Sequence, residues 1–225
     1  MTTAAAPDPP LAARGQRARD ALLAAARAVA AEQGWHAVTI RRVAERAERS
    51  PALVYEYFAS KDALLRELVR DGFRQLLTRV DAALADARRR APSDDAGALA
   101  AMGRAYWAFA RDHTDLYQVM YGLGGTRFPA ADSWAEGAAV GEAFAPVVAA
   151  LSASPAAPPP ASAGAAEVER RVYTLWATVH GLVALVLAGR VAGSWPAGEA
   201  LALAAVADAA TAWGATGRAG DGGAR

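Results

Sequence analysis

Residues 39–61, TIRRVAERAERSPALVYEYFASK, constrain the chain more than any other stretch, because they read as two short helices joined by a tight corner. Thr39 is placed to cap the first helix, its hydroxyl taking one of the free backbone N–H groups of the opening turn. Ile40, Val43, Ala44 and Ala47 then recur at helical spacing and give that helix a single apolar face. Glu48-Arg49-Ser50 interrupts the pattern. Ser50 is a second capping residue, and Pro51 suits the first position of a new helix, where an N–H would have no intrahelical partner. The second helix buries Val54 and Phe58 and turns Ala52, Leu53, Glu56 and Tyr57 outward. A corner of this kind sets a second helix into the major groove of DNA.

The rest of the chain can support such a corner. At 225 residues it suits one or two domains, and a hydrophobic content of 54% supplies a core. Alanine dominates and β-branched runs are scarce, which favours helix over strand. The net charge of +1 names no partner. Its distribution is more telling: residues 1–76 hold 12 Lys/Arg against 9 Asp/Glu, and residues 77–225 hold 12 against 14. A mildly basic front and a mildly acidic back fit a nucleic-acid module joined to something else.

Several classes drop out. There is no cysteine, so disulfides, thiolate metal sites and thiol catalysis are excluded. The three histidines lie in separate segments, no glycine-rich phosphate loop follows a strand, and no Ser/His/Asp set is suggested by spacing. Neither a metal nor a cofactor is expected. The N-terminus carries an Asp and three prolines and no apolar core of signal-peptide length. The most apolar stretch, 175–188, is interrupted by His180 and is shorter than the roughly 20 residues a bilayer requires. The expectation is a cytoplasmic protein without a membrane span.

In chain order, residues 1–15 read as a disordered Ala/Pro/Gly tail. Arg14, Arg17 and Arg19 lie where it meets the first helix, either solvated or able to reach DNA phosphate or the minor groove. A helix is expected over 17–33, with Leu22, Leu23, Ala26, Val29 and Ala30 inward and Gly34 as a left-handed cap. Trp35 and Val38 should pack under the corner, and His36 should sit on the surface. Ser60 caps a long helix with Asp62 in its first turn, and an apolar stripe from Ala63 to Val80 carries it to Arg90. Its length lets it belong to two domains. A helical pair follows over 96–121, then a Gly/Pro loop over 122–133 and a helix over 134–151, with Pro146 suggesting a kink. A linker over 152–165 precedes helices over 166–192 and 196–213. The run LWATVHGLVALVLAGR in the first of these is apolar nearly all round, so it must be buried on more than one side.

Four pieces of sequence carry a resemblance: AARAVAAEQGW, T-I-x-x-V-A-x-x-A, S-x-x-x-V-Y-x-Y-F, and S-K-x-A-L-L after Tyr57-Phe58. Together they make residues 17–73 resemble the DNA-binding domain of the TetR family of bacterial transcription regulators. Glu48 departs from the pattern where the family usually has a turn glycine, and Arg42 departs where an acidic residue is common. Trp176, His180 and Gly181 in W-x-x-x-H-G, with YWAFARDHTDLYQVMYG, resemble the C-terminal WHG domain of one subset. The resemblance implies an all-α fold of about nine helices. Its parts are a tail (1–15), a helix-turn-helix domain (16–76, the corner at 39–58), a ligand-binding and dimerisation domain (77–217) and a second tail (218–225).

The resemblance also implies roles. Thr39, Arg41, Arg42, Ser50, Tyr57 and Lys61 would meet the DNA backbone, which sets register but carries no sequence information. Base reading would fall to Ala52, Leu53, Tyr55 and Glu56, at the start of the helix opened by Pro51: apolar contact with thymine methyls, and acceptance from cytosine N4 by Glu56. Packing against the first helix is the alternative for Tyr55, and partial burial for Leu53. The densest aromatic cluster, interleaved with polar groups, is either plain core or a pocket for a small hydrophobic or aromatic effector. Its candidate residues are Tyr106, Phe109, His113, Tyr117, Met120, Tyr121, Trp134, Phe144, Trp176 and His180, the last weighted toward a structural hydrogen bond. The implied function is a homodimeric regulator in a bacterial cytoplasm, at the nucleoid. It would repress from a near-palindromic double-stranded operator until an effector releases it. The other reading keeps the fold but has an architectural or partner-regulated role with no inducer.

Overall fold

The computed structural model describes residues 11–123, 134–153 and 161–219, with side chains at 15–123, 137–153 and 164–214. Among these the chain forms nine α-helices, one 3-10 turn and no strand. They are α1 (Leu11–Gln33), the turn Trp35–Ala37, α2 (Ile40–Arg46), α3 (Pro51–Tyr57), α4 (Lys61–Arg90), α5 (Asp95–Asp112), α6 (Thr114–Met120), α7 (Trp134–Ser152), α8 (Ala161–Leu187) and α9 (Ser194–Ala219).

The capping grammar of the corner is realised. Thr39 accepts from the Arg42 N–H at 3.2 Å, Ser50 from the Leu53 N–H at 3.2 Å, and Ser60 from the Ala63 N–H at 3.1 Å. Each hydroxyl satisfies an N–H that the helix start would otherwise leave open. Gly34 closes α1 with φ 83° and ψ 159°, so its φ is positive as expected but its ψ is extended rather than left-handed helical. Glu48 takes φ 55° in the turn between α2 and α3. That is the left-handed conformation glycine adopts most easily, and a side chain there costs about 1–2 kcal/mol.

Helix ends differ from expectation where alanine is abundant. α1 begins at Leu11, six residues before the expected start, because the run after Pro10 offers good helix formers and only Gly15 to oppose them. α8 begins at Ala161, inside the expected linker, and stops at Leu187 rather than at 192. The chain then turns through Gly189 at φ 66° and Gly193 at φ 85°, and α9 runs past Trp213 to Ala219. α7 continues through Pro146, which withholds the helical bond to the Glu142 carbonyl. Residues 1–10, 124–133, 154–160 and 220–225, with most of the expected tails, loop and linker, lie outside the described residues.

Two cores share α4. In the head, α1 packs on α2, and Leu22, Ala26, Val29, Trp35, Val38, Val43, Val54 and Phe58 are all buried. In the larger part, α4 packs against α5, α6 and α7; α5 also meets α9, and α8 lies on α7 and α9. Thirty residues at about 1.5 Å each make α4 a rod of roughly 45 Å, with buried side chains along it from Leu64 to Val80. At Gly72 the missing side chain lets α6 come close: a Cβ there would lie 2.5 Å from Met120 Sδ. Among the described residues no helix is long and apolar enough to cross a membrane.

Candidate nucleic-acid interface and effector site

α3 stands on Val54, which is fully buried, and on Phe58, its C-terminal cap. Those two anchors leave Pro51, Ala52, Tyr55 and Glu56 exposed. Tyr55 is 56% exposed. Leu53 is only half-buried, and Tyr57 is half-buried against the core rather than turned fully outward. Lys61 opens α4 with its side chain half-buried, one residue beyond the cap Ser60.

The arginines around the corner differ in a way that spacing does not show. Arg41 Nε donates to Glu45 at 2.9 Å. Arg42 Nη1 donates to Gln33 at 2.8 Å and to the Ala37 carbonyl at 3.3 Å, and Arg46 reaches Glu32 at 3.1 Å. Arg19, a candidate for DNA contact, instead bridges to Glu67 at 3.2 Å and lies 5.4 Å from the centre of the Phe58 ring, tying α1 to the junction of α3 and α4. Arg14 lies among the residues whose side chains are not described.

The second cluster is built from α5, α6 and α8. Tyr106 and Tyr117 hydroxyls are 2.9 Å apart, Tyr106 donates to the Tyr121 hydroxyl at 3.2 Å, and the Tyr117 hydroxyl lies 2.7 Å from His180 Nδ1. Each hydroxyl has one proton. With the Tyr106 proton directed to Tyr121, the Tyr117 proton must go to Tyr106, and His180 Nδ1–H must donate to Tyr117. The chain of bonds therefore runs from His180 through Tyr117 and Tyr106 to Tyr121, and uses neither His180 Nε2 nor the Tyr121 proton. Rings close the arrangement: Trp176 stacks on His180 at 5.2 Å, and Tyr121 lies 4.7 Å from both Tyr117 and His180. Burial pushes all three tyrosine pKa values well up and that of His180 down, so every polar group in the cluster is neutral near pH 7.

The remaining candidates fall around this centre unevenly. Phe109 and His113 are ring neighbours at 5.1 Å, and Arg79 lies 5.9 Å over Phe109. Met120 rests on Gly72, and Phe144 is half-buried against the core. The Trp134 backbone opens α7, but its side chain lies outside the described residues. Phe73 of α4, which spacing placed only in a core stripe, meets Tyr121 edge-on at 5.5 Å. Among the described residues no group of three or more His, Cys, Asp or Glu could hold a metal ion.

A polar link joins the two regions. Arg27 of α1 makes a two-pronged bond to Asp115 of α6, at 2.7 and 3.1 Å, and Trp35 Nε1 donates to the Asp115 carbonyl at 2.8 Å. The hydrogen bond to Asp115 raises the Arg27 pKa against the opposing effect of burial. His113 sits beside this pair with its pKa lowered, first by burial and then by Arg27 and Arg79. α6 thus touches the head at its start and carries Tyr117, with Tyr121 just past its end, into the aromatic cluster.

Among curated proteins, none matches the sequence. Two family models do: residues 22–68 match that of bacterial regulatory proteins of the tetR family, and residues 99–213 match that of the tetracyclin repressor-like C-terminal domain, which is of WHG type. Solved structures share the fold. A protein of unknown function from Rhodococcus sp. RHA1 is 27% identical with a TM-score of 0.66, over 87% of this chain and 94% of that one. The TetR family transcriptional regulator PfmR from Thermus thermophilus is 16% identical with a TM-score of 0.60, over 84% and 97%. A regulatory protein in the tetR family from Rhodococcus RHA1 is 20% identical with a TM-score of 0.61, over 87% and 96%. With both halves matched and the helix-turn-helix head in place, the chain belongs to the TetR family of bacterial transcriptional regulators.

Proposed function

We propose that the chain is a homodimeric repressor that holds a near-palindromic operator and leaves it when a neutral, hydrophobic or aromatic effector enters the Tyr106–Tyr117–Tyr121–Trp176–His180 cluster. The observation that carries the reading is the pair of regions on one rod: an exposed α3 at one end of α4, and a buried, uncharged aromatic cluster packed along the rest. Ser50, Tyr57, Thr39 and Lys61 would hold phosphates, while Ala52, Tyr55 and Glu56 would face base edges.

Dimerisation would use α8 and α9. Their outer faces leave Tyr173, Leu185 and Leu201 about half exposed, and a shallow open depression of about 490 Å³ on α8 is lined by Arg170, Tyr173, Thr174, Ala177 and Thr178. Two-fold pairing there would place the two recognition helices one or more turns of DNA apart. An effector that fits would bring an acceptor for the Tyr121 O–H and a donor for His180 Nε2, on an apolar body. It must favour one spacing of the heads over the other, or nothing is coupled. α4, and α6 through the Arg27–Asp115 pair, are the contacts along which such a difference would reach the head.

The test is a mobility shift on inverted repeats in the DNA flanking the gene. Wild type should retard one such repeat, and Lys61→Ala should weaken binding on all sequences alike. A changed sequence preference without overall weakening would refute the Lys61 role.

A second reading, with the same DNA-binding head but no inducer, is favoured by one observation: the cluster's hydroxyls already bond to one another. A hydrophobic ligand library separates the two. A thermal shift from any member that is lost in Tyr117→Phe supports the effector reading, and no shift across the library supports the other.

A further inference from the structure

We infer that Arg49 is a base-reading residue, taking guanine O6 and N7 in each half-site. The inference deepens the operator-binding reading and rests on it. Arg49 directly precedes Ser50, the cap of α3, and so stands at the end of the recognition helix that meets base edges when such a helix enters the major groove. Its side chain is exposed. Its backbone is held, because the Arg49 N–H donates to the Ala44 carbonyl at 2.9 Å, so the side chain extends from a fixed point.

What sets Arg49 apart is its lack of a partner. Arg41, Arg42 and Arg46 are engaged by Glu45, Gln33 with the Ala37 carbonyl, and Glu32. Among the described residues no ion pair, hydrogen bond or ring contact holds the Arg49 guanidinium. The exposed residues of α3 itself, Pro51, Ala52, Tyr55 and Glu56, include no long cationic donor. Arginine is the side chain whose planar fork matches guanine's two major-groove acceptors, and this is the commonest specific contact to a base. A flexible arginine could also take a phosphate, so the test must separate the two.

The full-length protein is incubated with a random duplex library at fixed salt, bound duplexes are enriched and sequenced, and R49A and R49K are run in parallel. The inference expects wild type to enrich a near-palindrome with a guanine in each half-site that R49A no longer selects, the other positions being retained. Wild-type preference for that guanine should fall roughly five- to hundred-fold in R49A. R49K keeps the charge but not the fork, and should keep most of the affinity while losing much of the preference. Unchanged guanine selection in R49A overturns the inference, whether binding is untouched or weakened equally on every duplex with a salt slope lowered by about one, as for a phosphate contact. If wild type enriches no sequence at all, the operator reading falls and this one with it.

Discussion

The corner at the head and the aromatic cluster in the larger domain use polar groups in opposite ways. Around the corner, Arg49, Glu56 and Tyr55 stand exposed, while the backbone beneath them is held by hydroxyl caps reaching only three residues ahead. In the cluster the polar groups are neutral, enclosed, and bonded to one another across 11, 15 and 63 residues of sequence. The contrast follows from what each would meet. A surface facing a polyanion keeps charged donors in water, where holding them open carries little penalty. A site for an apolar molecule can hold only groups that stay uncharged when buried, and each needs a partner until a ligand supplies one.

The comparison can be broken at the contact that joins the regions. Asp115→Ala should destabilise the protein by about 1.5–3 kcal/mol, since it removes a two-pronged, charge-assisted bond and leaves Arg27 half-buried without it. Hydrogen exchange should then show protection lost first in α1 and α2, and equal loss throughout would mean the pair does not hold the head to α6. Tyr117→Phe, inside the cluster, should cost about 1–3 kcal/mol in denaturant unfolding because the Tyr106 and His180 partners both lose a bond. Ser50→Ala should cost about 1 kcal/mol through the lost cap, and should weaken DNA binding by more than the stability loss explains. Glu48→Gly runs the other way. It relieves a side chain held at φ 55° and should raise stability by about 1 kcal/mol, whereas a loss would mean Glu48 makes a favourable contact that outweighs the strain.

The smallest effect is a pH dependence that belongs to one region and its border. His113 and His180 both have pKa values lowered from 6.5 in the folded chain. The unfolded chain therefore takes up protons first as pH falls, so their contribution is complete above about pH 6.5 and declines below it until the folded pKa values are passed. Urea unfolding between pH 7.5 and 5 should show this decline, flattened when both are replaced by glutamine.

What the sequence makes legible divides along the same line. Thr39, Ser50-Pro51 and Ser60 announce their helices because a cap acts within three residues, and Val54 with Phe58 announce the buried side because helical spacing is local. Tyr106, Tyr117 and Tyr121 are visible as an aromatic cluster, but the order of their hydrogen bonds is not, since it depends on how α5, α6 and α8 pack. Trp35 is legible as a buried residue, but the bonds of Arg27 and Trp35 to Asp115 carry no signal, since they span 88 and 80 residues. Arg41 and Arg42 look like phosphate contacts from position alone, and only the fold shows them already engaged by neighbours. The early start of α1 is hidden because proline and glycine at 7–15 read as a tail, while Leu11, Ala12, Ala13 and Arg14 among them favour helix.

The most direct test is a fluorescence anisotropy titration of the full-length protein against the enriched near-palindrome and a scrambled duplex of equal length, at one salt concentration. Binding to the palindrome should be at least about a thousandfold tighter than to the scrambled duplex. Affinities within a few-fold of each other would contradict it, leaving a head that holds DNA by charge alone.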